Sequence, residues 1–93
     1  MLTQREVAEM KVLSERLLNG SVSREDWSNL AALTLVSQGP ATVLAIAAQG
    51  LDEFIRISKP VYDGHAFQYD DYRRMYDRVC AVAARQHGPA RVH

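Results

Sequence analysis

Apolar residues recur every three or four positions along four stretches of the chain, and each stretch stops at a glycine or proline. That spacing is the repeat of an amphipathic α-helix, and the breakers are the residues that end one. No segment alternates apolar and polar residues with β-branched enrichment, as a strand would. The chain therefore reads as an all-α compact bundle of about four helices, one domain over residues 1–93. Residues 88–93 form a frayed tail behind Gly88-Pro89.

The first helix is predicted over Gln4 to Asn19. Thr3 and Glu6 have capping-box spacing, and Asn19-Gly20 forms the stop. Val7, Met10, Leu13 and Leu17 make its apolar stripe. Arg5–Glu9 and Lys11–Glu15 are spaced as i,i+4 pairs, each worth ~0.2–0.5 kcal/mol. A second helix starts at Ser23 with Glu25 and Asp26 in its first turn, where acidic groups complement the helix dipole. It carries Trp27, Leu30, Ala31 and Thr34 on one face and ends at Ser37-Gln38-Gly39-Pro40. The third helix, Pro40 to about Ile57, is apolar nearly all round, which suits a helix buried on several sides. Gly50 inside it implies a bend or a close neighbour. Asp52–Arg56 is its wet-side pair, and Lys59-Pro60 closes it. Val61 to Tyr69 is an irregular connection with a turn at Tyr62-Asp63-Gly64. The fourth helix runs from about Asp70 to Gln86. The expected core is Val7, Met10, Leu13, Leu17, Trp27, Leu30, Leu44, Ala48, Leu51, Ile55, Tyr76 and Val79.

Bulk properties narrow the function classes. Eleven basic residues balance eleven acidic ones, so no broad field steers the chain to nucleic acid or an anionic membrane. Val43 to Ala48, the longest apolar run, is far too short to span a bilayer. No basic segment precedes an apolar one in the manner of a signal peptide. With a single cysteine, Cys80, no internal disulfide is possible, and a cytoplasmic location is expected. Nucleophile–base motifs, glycine-rich phosphate loops and paired acid/base carboxylates are absent, and no cofactor motif is found. His65, His87 and His93 are not spaced as metal ligands, so no metal is expected. A small domain without these staples often relies on self-association, so a homodimer is expected.

Four features compete for a role. Asp63 and His65 lie two apart in the 62–69 connection and suit binding a metal or relaying a proton, as in a small enzyme site. The plainer reading is a turn whose aromatics dock on the core. Arg73, Arg74, Arg78, Arg85 and Arg91 could meet phosphates, giving a small DNA-binding regulator. Against that, Asp70–Arg74 and Arg73–Asp77 are spaced to pair internally, and nucleic-acid binders show a stronger basic footprint. Leu2 to Ala8 resembles the opening of a helix-turn-helix, yet the helix continues unbroken and the next one opens on acidic residues. Cys80 lies near arginines that would lower a thiol pKa, but it also suits a small buried position.

Asp26-Trp27-Ser28-Asn29-Leu30-Ala31-Ala32-Leu33, followed by Ala47-Ala48-Gln49-Gly50-Leu51-Asp52-Glu53, resembles a family of small helical proteins of proteobacterial prophages and other mobile elements. Those proteins share an acidic–aromatic–x–x–Leu–Ala opening and a glycine-containing stretch with a nearby Glu. The chain departs from them where they carry a Gly-Ile-Gly-type run. The resemblance implies an accessory gene of a mobile element, some relatives being described as transcriptional regulators. It transfers no active-site residue.

The resulting expectation is a non-catalytic interaction module, an inhibitor or modulator of a host system, that occupies a surface of another protein. Tyr62, Phe67, Tyr69, Arg73 and Arg74 are the expected contact residues, because exposed aromatics and arginines dominate interface hot spots. DNA binding through the arginines is the alternative, and an enzyme centred on the 62–69 loop the third reading.

Overall fold

The structure is a computed structural model and describes residues 2–87. It is all-α, with no strand among the described residues. Five helices follow one another: α1 (Gln4–Leu18), α2 (Arg24–Val36), α3 (Pro40–Gln49), α4 (Leu51–Tyr62) and α5 (Tyr69–His87), with a 3-10 turn at Asp63–His65. No described helix is long and apolar enough to cross a membrane.

Local chemistry accounts for the helix starts. Thr3 accepts from the Glu6 amide while Glu6 accepts from the Thr3 amide, at 3.1 and 2.9 Å. Ser23 and Asp26 build the same reciprocal cap on α2. Such caps satisfy amides that have no partner inside the helix. Gly20, with φ +72°, supplies the left-handed turn after α1.

The stretch expected to be one helix over 40–57 is two, which makes five helices rather than four. Gly50 has φ +83° and ψ 160°, a conformation essentially reserved for glycine. It ends α3, and its carbonyl accepts from the Phe54 amide to start the α4 ladder at 2.9 Å. Pro60 does not close the helix either, since α4 continues to Tyr62. The one ladder bond that Pro60 removes falls in the last turn, on the exposed side that also carries Arg56.

α5 is the spine. It packs against α2, α3 and α4, whereas the backbone of α1 lies against α2 and reaches α5 through long side chains. The core between them holds Leu33, Val36, Val43, Met75 and Val79, all fully buried. The Cα envelope measures 46 × 30 × 18 Å, and its short dimension leaves room for about two layers of helices. In a two-layer slab no helix is surrounded. α3 therefore buries only Val43 completely, although it is apolar on every side. Leu44 and Ala48, expected in the core, are exposed.

α1 is rotated from its expected face. Leu13 is buried with Leu30 and Leu33, and Met10 packs beside them, but Val7 and Leu17 are 53% and 40% exposed. The turn between Leu13 and the helix start buries Glu6 instead. Glu6 forms a two-pronged pair with Arg85 at 2.8 and 3.1 Å, and Glu9 forms another with Arg78 at 2.8 and 3.3 Å. Glu9 is thus held by α5 and not by Arg5. The Arg85 guanidinium holds the Glu6 carboxyl well down, from 4.5 to about 2, against the opposing effect of burial. A depressed carboxyl stabilises the fold above its unfolded pKa and loses that contribution as pH falls. Stability on the order of 1–2 kcal/mol should therefore disappear between about pH 4.5 and about pH 2. The half-exposed Arg85 keeps the figure at the low end. Urea unfolding of the Glu6→Gln variant checks this. The gap to the parent chain should be full near neutrality and should shrink in acid; an equal gap at both would contradict it.

Candidate interaction surface

Five rings gather where α2, α4 and α5 meet. Phe67 is stacked on Tyr62 at 5.2 Å between centroids and lies edge-on to Trp27 and Tyr72 at 5.9 and 5.4 Å. His65 stands edge-on to Trp27 at 5.0 Å. Aromatic pairs in such geometries contribute about 0.5–1.5 kcal/mol each beyond their buried area. The 62–69 connection is therefore ordered by its aromatics. Tyr62 closes α4, and Ala66 turns the chain with φ +56°. Burial raises the Tyr62 phenol pKa. It raises that of Tyr72 as well, with the nearby Asp63 and Asp71 charges adding to the effect.

The five expected contact residues are divided by this packing. Tyr69 is 55% exposed, and Arg73 is exposed and only loosely paired with Asp77 at 3.9 Å. Tyr62 is half-buried. Phe67 faces inward and anchors the connection, so it presents no contact surface. Arg74 is half-exposed and pairs with Asp71 at 3.3 Å, not with Asp70 as its spacing suggests. Asp63 and His65 both lie on the exposed side of the connection. Among the described residues no three His, Cys, Asp or Glu side chains come together to hold a metal ion. Cys80 is half-buried. Arg91 and His93, like the expected tail over 88–93, lie outside the described residues.

Asp71 was not singled out from sequence, yet it organises this end of the molecule. Its carboxylate is fully buried and accepts from the Gln68 amide at 2.7 Å, Arg24 at 3.1 Å, Arg74 at 3.3 Å and the Ser28 hydroxyl at 3.4 Å. Gln68 is the cap of α5 and Asp71 sits three residues on, so half of a capping box was legible as Gln68-x-x-Asp71. The tie to Arg24 and Ser28, more than forty positions away, was not. Beside it the Tyr72 hydroxyl is buried without a hydrogen-bond partner among the described residues. An unsatisfied buried hydroxyl is costly. Tyr72→Phe should therefore leave the chain as stable or more stable by about 1 kcal/mol, measured as a rise in the denaturant midpoint. A clear fall would show that the hydroxyl is doing something the geometry does not reveal.

The chain matches no protein-family model, no curated protein and no solved structure.

A largely apolar cleft of about 180 Å³ opens between α2, α3 and α4. Phe54, Leu35 and Ile46 line it, together with Ile57, Val61 and Tyr62. Ile57 and Val61 stand one helical turn apart and are 47% and 66% exposed. Gln49 and Ser58 are the polar residues of the lining, and no charged side chain belongs to it. A cleft lined mainly by apolar side chains and by no charged one favours contact with another apolar surface over contact with phosphate or a charged substrate. The arginines of α5 are for the most part engaged: Arg74 by Asp71, Arg78 by Glu9 and Arg85 by Glu6.

Proposed function

We propose that the chain is a non-catalytic interaction module whose working surface is the α3/α4 face, with a second copy of the chain as its first partner. The exposed Ile57–Val61 ridge beside the apolar cleft carries this reading. A 93-residue chain leaves two large aliphatic side chains of one helix face in water next to a cleft they do not fill. Burying them recovers about 25 cal/mol per Å² of apolar surface. The module reading also fits an inhibitor or modulator that works by covering a host protein, as the resemblance to mobile-element proteins implies.

Charge on the ridge tests the reading. The parent chain is expected to show a dimer mass by light scattering, insensitive to salt, and the double variant Ile57→Glu/Val61→Glu a monomer mass. Both positions are exposed, so the variant's own stability should stay within about 0.5 kcal/mol of the parent, net of any dimer contribution. A parent chain that is monomeric on concentration and carries no other protein when isolated gently from its own cells would overturn the proposal.

Support for DNA binding is narrower in this geometry. Among the α5 arginines with described side chains, Arg73 has the weakest tie to a carboxylate. A single loosely held arginine supplies little of the phosphate contact on which such affinity depends.

A further inference from the structure

A separate cleft of about 250 Å³ is lined by Val22, Ser23, Arg24, Trp27 and His65. It uses none of the residues of the α3/α4 face, and its chemistry is different. Arg24 reaches across the fold with one nitrogen. Its Nη1 donates to the Ala66 carbonyl at 2.6 Å and to the Asp71 carboxylate at 3.1 Å. Asp71 is itself immobilised by the Gln68 amide, Ser28 and Arg74. The guanidinium is therefore fixed in place by a buried anchor, while its side chain remains 51% exposed. Nε and Nη2 donate to no described residue. That edge is the planar two-pronged fork that matches the two oxygens of a carboxylate or phosphate. An arginine held by one nitrogen, with the fork left over, has already lost the rotamer freedom that binding would otherwise cost.

The rest of the lining suits the body of such a ligand. The half-buried Trp27 indole and the exposed His65 imbue the cleft with two planar surfaces set nearly at right angles, 80° apart with centroids at 5.0 Å. Val22 adds an aliphatic wall. The Ser23 oxygen accepts from the Asp26 amide, which leaves its hydroxyl proton to donate. The nearby Asp26 carboxylate accepts from the Ser23 amide and from Arg16, both through Oδ2, and is not part of the cleft lining. The helix terminus itself is therefore already capped, and the arginine fork with the aromatic walls makes the site.

We propose that this cleft binds an oxyanion, a carboxylate or phosphate monoester, carried on an aromatic body, with Arg24 taking the oxygens and Trp27 the ring. Trp27 is the single tryptophan of the chain, so its fluorescence reports the cleft directly. Phenyl phosphate, benzoate and inorganic phosphate are titrated in turn, and amide shifts are mapped by NMR with each. Phenyl phosphate or benzoate should give a saturable fluorescence change with shifts centred on residues 22–27 and 65. Whichever of the two binds more tightly names the head group. Inorganic phosphate should bind at least about tenfold more weakly, because it lacks the ring. Arg24→Lys keeps a positive charge for Asp71 but loses the fork, and should weaken binding by about tenfold or more at an unchanged melting temperature. No saturable change with either aryl probe, shifts centred elsewhere, or equal binding by a folded Arg24→Lys variant would each overturn the proposal. If that variant does not fold, the shift map on the parent chain decides alone.

Discussion

Phe54→Ala is expected to destabilise the chain by about 3–5 kcal/mol. Phe54 is 3% exposed and is the one large α4 side chain that enters the main core, where its ring meets Tyr76 at 5.4 Å. It also forms the floor of the apolar cleft, so truncation leaves a void that opens to solvent on one side. Two-layer packing offers few neighbours that can collapse into that void, and incomplete relaxation is what makes such truncations expensive. Marginal domains hold only about 5–15 kcal/mol in total, so the variant should lie near the limit of folding. Equilibrium denaturation measures the loss. A value below about 1.5 kcal/mol would mean that α4 is a loosely attached element and not part of the cooperative core.

Asp71→Ala should cost about 2–3 kcal/mol, less than a core aromatic but more than any surface charge in the molecule. The carboxylate is wholly buried, and its loss leaves the Gln68 amide and the Ser28 hydroxyl without this acceptor. Arg24 and Arg74 are half-exposed, so water can resolvate them, which keeps the cost below that of a fully buried broken pair. The effect should be local as well as global. Without Asp71 the Gln68 amide loses its acceptor and Arg24 is held by the Ala66 carbonyl alone, so the amides of the 63–68 connection should exchange faster in hydrogen-exchange measurements. Asp71→Asn, which keeps the shape and an acceptor oxygen, should lose less. A loss of under about 1 kcal/mol for the alanine variant would show that the network is geometric and not energetic.

The starts of α1 and α2 were legible because they depend on residues three apart. Thr3 with Glu6 and Ser23 with Asp26 close their caps within one turn, and nothing distant is needed. The all-α class follows from the same short range, since a 3.6-residue apolar period is written directly in the chain. The break at Gly50 was only half legible. A glycine in a helical pattern signals either tolerance or a turn, and the choice depends on whether Phe54 and Ile55 pack better after the chain bends.

The candidate surfaces were less legible still. Ile57 and Val61 are at least as apolar as Val36 and Val43, yet the first pair is exposed and the second fully buried. Phe67 and Tyr69 stand two apart in one connection and face opposite environments. Spacing marks which residues share a side of a helix, but which side meets a neighbour is settled by the other helices.

The sequence by itself determined a helical class, the caps, the stops at Gly20 and Gly39-Pro40, and a charge balance that gives the chain no overall field. Only the tertiary structure decided that Glu6 would be buried against Arg85, that Asp71 would gather Arg24, Ser28 and Arg74, and that two clefts of different lining would form on the described residues. The physical reason is range. Hydrogen-bonded turns are decided within four residues, whereas burial is shared among side chains forty to eighty positions apart, and their partners are fixed only once the helices have packed.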